Sequence, residues 1–430
     1  MITTQSLTSE NNVKSYKNSI ANKLTDDDLR FHNWYRFVLS FPPHLVREYI
    51  QKFELKPGDT VLDPFCGTGT TILEAKFNGL AGIGIEANPM TFFASNVKTN
   101  FHINHNLLLK DADKIAKIAE NKIKIYSEKE LIKFSVEEQD LILTDSISPL
   151  PLHKTLILRN AIVDNKSIYQ NNYLLALANS TVKYSSNLHF GPEVGVSRKK
   201  KDDSNVIEDW YNCIIQMVKD LETVNPEDYL QTQIYQGDSR ELDKFLLPGS
   251  INAVFTSPPY PNEKDYSRTT RLESVLLGYI KNKEELRALK KTLLRSNTRN
   301  VYKGDDDDRY IGNNKKILRI ADEIEQRRIE LNKTSGFEKL YHKVTKLYFG
   351  GIARHLTNLK PFLSNNACLG YVVGDQASYL QIHIPTGQLI AEIAESLGYE
   401  VISIDLFRTR FSTTTKKDMN EEVVYLKWRN

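Results

Sequence analysis

The chain is short of cysteine: Cys66, Cys213 and Cys368 are its only three in 430 residues, far apart and without C-x-x-C or Cys/His spacing. That excludes a disulfide framework and a structural zinc site, and it fits a reducing, cytoplasmic setting. Long apolar runs are missing too. None reaches the roughly 18 residues a membrane helix requires, and residues 1–10 are polar rather than a basic stretch followed by an apolar core, so nothing directs the chain to or across a membrane. Net charge is nearly absent. With 57 Lys and Arg against 54 Asp and Glu, the formal charge is +3, and a polyanion partner has to be inferred from local clustering. Internal repeats are lacking, and the one low-complexity tract is residues 305–308. What is plentiful is core material, 40% hydrophobic and 10% aromatic, enough for a globular protein that needs no staples.

Residues 1–25, rich in Ser, Thr, Asn and Lys, read as a loosely held arm. After the Pro42-Pro43 break, Leu45, Val46, Tyr49, Ile50 and Phe53 recur at helical spacing and predict an amphipathic helix. Residues 60–64 read as a short buried strand stopped by Pro64. A glycine loop follows, then a helix from 72 ended by Asn78-Gly79, then a strand at 81–85 closing on Glu86. A strand, loop, helix and strand-acid unit of this kind belongs to a doubly wound α/β sheet. The pattern lapses over 101–230, where helices at 112–127 and 206–221 flank an irregular polar middle, and again over the charged, helix-rich stretch 276–345. Strands are expected at 233–236, 251–255 and 367–373, a helix at 386–397, and a closing hairpin with strands near 401–406 and 423–426. The core thus comes in three pieces, 26–100, 231–275 and 346–430, separated by two mainly helical insertions.

In the first strand-to-helix turn, Gly67 and Gly69 let the backbone approach a ligand closely, and the helix start offers N–H groups to a carboxylate or phosphate. No Gly-Lys-Ser/Thr follows, and the dinucleotide fingerprint breaks at Ile72. An ordinary tight connection would have a similar local sequence. However, Glu86 at the end of the next strand can take both hydroxyls of a ribose, and glycines plus carboxylate indicate an adenosine-containing cofactor. The second constellation, Thr256-Ser257-Pro258-Pro259-Tyr260, follows a buried strand and therefore lies at the carboxyl edge of the sheet. Two prolines stiffen it and remove two donors, leaving carbonyl acceptors and the Ser257 hydroxyl. Such a rim suits a planar substrate with an exocyclic amine, held by the acceptors while Tyr260 stacks on the ring. A Pro-Pro turn with a core tyrosine would explain that segment alone, but not the pair of motifs.

Asp63-Pro64-Phe65-Cys66-Gly67-Thr68-Gly69-Thr70-Thr71 and Thr256-Ser257-Pro258-Pro259-Tyr260 resemble the cofactor and catalytic motifs of the S-adenosylmethionine-dependent DNA amino-methyltransferases. The resemblance covers 31–100, 231–275 and 346–430, about half the chain. It implies a Rossmann-like seven-stranded α/β sheet with a reversed last strand, S-adenosyl-L-methionine as cofactor, and double-stranded DNA as partner, its target base flipped out. By that similarity Asp63 and the loop of Phe65, Cys66, Gly67, Thr68 and Gly69, with Thr70 beside it, hold the methionine part. Glu86 takes the ribose and Asp238 the adenine amino group. The segment 34–45, which includes Trp34, closes over the methionine tail, and Ser257, Pro258, Pro259 and Tyr260 form the catalytic turn. Serine before Pro-Pro-Tyr is commonest among cytosine-N4 enzymes, whereas an acid or amide prevails among adenine-N6 enzymes. Carbon-5 methylation needs a cysteine nucleophile, and Cys66 belongs to the cofactor loop, which excludes it. The expected activity is site-specific cytosine-N4 methylation of DNA by the modification partner of a separately encoded restriction endonuclease. The alternatives are adenine-N6 methylation, guanine-N2 methylation of RNA, and a DNA-binding protein with an inactive methyltransferase fold. Guanine-N2 enzymes usually carry an N-terminal RNA-binding module and an acid or amide before Pro-Pro. Here about sixty residues precede Asp63, and residue 257 is serine.

Between 281 and 303, Lys281, Lys283, Arg287, Lys290, Lys291, Arg295, Arg299 and Lys303 stand against two acids, Glu284 and Glu285. A face of this kind neutralises phosphates, and Lys290, Lys291, Arg295 and Arg299 are expected to do so. Tyr266, Arg268 and Arg271 are expected beside the target nucleotide. Residues 198–201 offer a second basic strip, and the acid run 305–308 reads as a solvated loop. Base reading falls to one or both insertions. Two interruptions in a cofactor-first order match neither usual arrangement of the family.

Overall fold

The computed structural model describes residues 24–25, 28–35, 40–125, 131–191, 193–412 and 415–429. The arm expected at 1–25 therefore lies almost wholly outside the described residues. Helix α1 (Pro43–Lys52) starts at a proline, whose missing N–H would have no helical partner there, and buries Leu45, Val46, Tyr49 and Ile50. Strands β1 (Thr60–Asp63) and β2 (Ala81–Glu86) flank α2 (Thr70–Phe77), and α3 (Pro89–Thr99) follows. A small hairpin of β3 (Leu188–Phe190) and β4 (Val194–Val196) stands apart from the main sheet. The remaining strands are β5 (Thr232–Gln236), β6 (Ile251–Thr256), β7 (Leu363–Gly374), β8 (Glu400–Ser412) and β9 (Lys417–Lys427).

The main sheet has seven strands in the order β5-β2-β1-β6-β7-β9-β8, with β9 antiparallel to both of its neighbours. This is the Rossmann-like α/β sheet with a reversed last strand that the resemblance implies. From β1 the chain moves outward to β2 and β5, then returns to add β6 on the other side. The strand order reverses there, which is where open α/β sheets leave a crevice for ligands. Val61 pairs with Ala253 and Leu62 with Val254, so the turns after β1 and β6 emerge next to each other.

The first insertion supplies α4 (His105–Ile125), α5 (Pro149–Asp164), α6 (Gln170–Ser180) and α7 (Val206–Leu221). The middle expected to be irregular and polar thus carries two long helices before the β3–β4 hairpin. Both α5 and α6 are buried nearly all round, Asn172, Asn179 and Ser180 included, so no polar stripe marks their period. Their apolar residues share one core with Phe31, Trp34, Met90, Phe93 and Leu272. The second insertion supplies α8 (Lys283–Thr292) and α9 (Lys315–Glu330), followed by α10 (Tyr341–Leu359) and α11 (Thr386–Ser396). Here the solvated acid loop is corrected: Asp307 is buried and joins Arg240 at 2.5 Å and Arg354 at 3.1 Å, while Asp305 holds Arg295 at 2.8 Å. An acid run next to buried guanidinium groups cannot be told from a solvated one by composition.

Strand alternation builds the layers. Val61, Ala253 and Phe255 face α1 on one side of the sheet, whereas Leu62, Val254 and Leu369 face the cluster of Ile352, Leu356 and Leu389 on the other. No helix among the described residues is long and apolar enough to cross a membrane.

Candidate active site

The turns after β1 and β6 are joined by side chains. Asp63 Oδ1 accepts from the Thr256 hydroxyl at 2.6 Å and from the Phe65 N–H at 3.1 Å, and the Thr71 hydroxyl donates to the Phe255 carbonyl at 3.0 Å. Burial pushes the Asp63 carboxyl up to about 7 despite these donors. Between the turns lies a cleft of about 320 Å³. Phe65, Cys66, Gly67, Thr68, Thr70 and Glu86 line one part of it, and Ser257, Pro258, Pro259 and Tyr260 another.

On the glycine side, Gly67 and Gly69 adopt left-handed φ of 53° and 82°, open to glycine at little cost. The N-cap of α2 is Gly69, which has no side chain to cap it, and among the described residues the first helical N–H groups are uncapped and open to a ligand. Glu86 accepts from the Gly67 and Asn88 N–H groups, each at 2.7 Å, with one carboxylate oxygen apiece. Burial raises its pKa, and backbone donors oppose that rise. A Cβ at Gly84 would stand 2.6 Å from Cys66 Sγ, so the thiol packs on β2, and burial pushes its pKa up. Cys66 is a packing group rather than a thiolate. Lys98, buried under the loop, donates to the Thr68 carbonyl at 2.7 Å. Sequence reasoning missed it, since a lysine on an otherwise apolar helix reads as its solvent edge.

In the second turn, the Ser257 hydroxyl donates to the Val372 carbonyl at 3.0 Å, and the Tyr260 N–H donates to the Tyr266 hydroxyl at 3.1 Å. The Tyr260 ring lies over the end of β7, where a Cβ on Gly374 would be 3.0 Å from it.

Not every expected residue reaches the cleft. Trp34 is buried with its indole N–H on Asp220 at 2.8 Å, while Ser40 and Phe41 of the same segment do line the cleft. Asp238 gives its carboxylate to Arg240 at 2.6 Å, and its neighbours Gly237 and Ser239 are the lining residues. Tyr266 lines the cleft itself. Arg271 is tied to the Ser267 hydroxyl at 2.7 Å, Lys290 to Asp265 at 2.7 Å and Arg299 to the Glu263 carbonyl at 3.0 Å. Arg295 is buried on Asp305, Arg268 is half-buried and Lys291 is exposed. Several cations expected at phosphates therefore brace the second insertion. Lys264, Phe407, Arg408, Arg410 and Glu421 line the cleft without having been expected there. An Arg-x-Arg pair in a strand carries no mark of function until the hairpin's place beside the Ser257 turn is known.

A family model for DNA methylases, N6_N4_Mtase, matches residues 6–95. The chain is 28% identical to the type II methyltransferase M.BsoBI of Geobacillus stearothermophilus over 305 residues, 63% of this chain and 57% of that protein. It is 24% identical to the type II methyltransferase M.AvaI of Nostoc sp. over 401 residues, 87% of this chain and 80% of that one. A shorter likeness, 36% over 103 residues, joins it to the tRNA (guanine(10)-N2)-dimethyltransferase of Methanocaldococcus jannaschii, over 24% of this chain and 27% of that protein. The match to M.BsoBI thus spans little more than half of that relative's length.

Proposed function

From the premise that the chain belongs to the S-adenosylmethionine-dependent DNA amino-methyltransferases of the N6/N4 kind, we propose that it methylates the exocyclic N4 amine of cytosine in a specific duplex sequence. Its role in this reading is that of the modification enzyme of a restriction-modification system, with the endonuclease encoded separately. The observation that carries the reading is the adjacency of the glycine loop and the Ser257-Pro258-Pro259-Tyr260 turn across one cleft. Serine at 257 favours cytosine N4 over adenine N6.

The residues present fit the cofactor. The start of α2 suits the methionine carboxylate, Glu86 suits the ribose hydroxyls, and the adenine is assigned in this reading to the part of the cleft lined by Gly237 and Ser239. S-adenosylmethionine supplies a methyl group already activated by its sulfonium. The protein's part is to seat and prepare the amine. Its lone pair is delocalised into the ring, and acceptors on its N–H groups favour a more pyramidal, nucleophilic nitrogen. Ser257 is oriented for this, because its proton goes to the Val372 carbonyl and its oxygen, beside the Tyr260 hydroxyl, is left as an acceptor. The Pro258 carbonyl is the second acceptor, and Tyr260 stacks on the everted base. Fixing the donor carbon and the attacked nitrogen in line supplies most of the rate, and the amine proton leaves late, to water.

The test is incubation with radiolabelled S-adenosylmethionine and either duplex DNA or total RNA, followed by digestion to nucleosides. Label in N4-methylcytosine is expected. Label in N6-methyladenine moves the base assignment, label in RNA replaces the reading with guanine-N2 methylation, and no label leaves a binding protein with an inactive fold.

A further inference from the structure

We propose that the projecting end of the β8–β9 hairpin is a phosphate grip, which holds the DNA backbone beside the extruded nucleotide. The inference rests on the functional reading above and adds a set of residues that the catalytic motifs do not contain. Its first support is register. Strand β9 pairs with β7 as far as Glu421, opposite Gly374, and the Asn420 carbonyl still accepts from the Asp375 N–H at 2.8 Å, whereas Lys417, Asp418 and Met419 pair with β8 alone. The hairpin therefore runs past the end of β7 and overhangs the carboxyl edge of the sheet, where the Ser257 turn lies.

The second support is a bulge. The pairing slips between Leu406 and Arg408, and on a regular strand the consecutive Phe407 and Arg408 would point to opposite faces. Both line the cleft, as does Arg410 two residues on. A bulge that re-aims side chains at a pocket is a recurrent device beside active sites.

Charge supplies the third support. Arg408 is engaged by the buried carboxylate of Glu421, whereas Arg410 stands 4.0 Å from the other Glu421 oxygen. Lys264 enters the same rim from the loop after Tyr260. Burial lowers its pKa, and the nearby Arg410 lowers it further, against Glu421 and Glu193, which raise it. Arg408, Arg410 and Lys264 thus crowd one mouth with Glu421 among them and Glu193 near Lys264, and an anion placed there would relieve the repulsion of the three cations. Beyond the mouth the arm presents exposed Phe411, Lys416 and Lys417, with Asp418 opposing them. A base seated on Tyr260 leaves its flanking phosphates at this rim, so the polyanion that fits is the backbone of the same duplex.

The experiment measures binding of the full chain to a short fluorescein-labelled duplex of mixed sequence by anisotropy, across a salt series. It compares wild type with Arg410→Ala, Lys264→Ala, Lys417→Ala and the Arg410→Ala/Lys264→Ala pair. Each lost phosphate contact is expected to reduce the slope of log K against log salt by about 1. In parallel, KM for plasmid DNA should rise about tenfold in the paired variant with kcat held, about the loss that 1.4 kcal/mol produces. Arg410→Lys should restore the slope, and all variants should bind S-adenosylmethionine as wild type does. Unchanged slopes and KM in variants that retain normal melting and cofactor affinity would overturn the grip while leaving DNA methylation standing. A loss confined to kcat would also overturn it, by assigning these residues to chemistry. A wild type that labels no DNA overturns the functional reading itself, and the grip falls with it.

Discussion

Ser257 and Tyr260 divide one task. In the proposed reaction the serine hydroxyl, a donor to the Val372 carbonyl, is the acceptor for the amine, and the tyrosine ring beside Gly374 is the surface for that amine's ring. Ser257→Ala should therefore lower kcat by roughly 10²-fold, the size of losing one oriented polar group at a reacting centre, and Tyr260→Ala should also lower it strongly by removing the base's stacking surface. Cofactor affinity should stay nearly intact, and equal loss of both in a titration and a transfer assay would contradict the assigned roles. A second residue-scale effect is set by Glu273, whose Oε1 accepts from the Tyr35 hydroxyl at 2.6 Å while Oε2 has no partner among the described residues. Burial pushes this carboxyl from its ordinary 4.5 up to about 7. Between those values the folded chain holds a proton that the unfolded chain has lost, so stability falls as pH rises through this window and stays lower above it. A difference of that size is worth roughly 3 kcal/mol. Glu273→Gln should flatten the fall in melting temperature between pH 5 and pH 8, and a variant whose pH profile parallels wild type would refute the burial account. These two residues differ in how well the sequence announces them. Ser257 stands in a Pro-Pro turn that few structural needs require, whereas Glu273 and Lys98 are polar residues whose burial depends on partners far along the chain.

At the scale of elements, the same distinction separates the helices. The amphipathic α1 and α7 were legible because one face is polar and the period shows. Helices α5 and α6, buried on nearly all sides, carry no such contrast and read as irregular. The acid run misled for a related reason: the partners of Asp307, Arg240 and Arg354, lie on other elements. That cluster ties the β5 turn, the second insertion and α10 together, since Arg240 also holds Asp238. Removing one charge from a buried set strands the others, so Asp307→Asn should cost about 3 kcal/mol in urea denaturation. Gly350→Ala attacks the same joint by volume. Its Cβ would fall 2.0 Å from the Asp307 carbonyl oxygen, which forces backbone to move at a cost of about 1–3 kcal/mol. Both variants should speed limited proteolysis within residues 281–340. If Gly350→Ala melts and digests like wild type, the packing of α10 on the acid turn is not as described.

For the molecule as a whole, the cleft is where three stretches far apart in sequence meet: Gly67 and Glu86 from the first, Gly237 and Ser257 from the second, Val372 and Glu421 from the third. Two large insertions separate these pieces in sequence, yet the parallel pairing of β1 with β2 and β6 brings their carboxyl ends to one edge. The centre of the sheet was foreseeable because β1, β2 and β6 are short apolar runs bounded by Pro, Gly and acids. The rim was not, because it depends on where an edge hairpin ends. A ligand seated across the three pieces cross-links the folded state and has no site on the unfolded one, so it must stabilise the whole chain. At a hundredfold excess over its dissociation constant, S-adenosylmethionine should contribute about 2.7 kcal/mol. With an unfolding entropy near 2.1 cal/mol/K per residue, that raises the melting temperature by roughly 3 °C. Ser257→Ala should keep the full shift, since it removes an acceptor for the base and nothing from the glycine side. Glu86→Ala should lose most of it at the same ligand concentration, because the Gly67 N–H and the ribose would be left without their acceptor. Scanning calorimetry decides the matter: loss of the shift in Ser257→Ala would merge the two sides of the cleft into one ligand site, and its absence in wild type would mean that the cleft does not hold this cofactor.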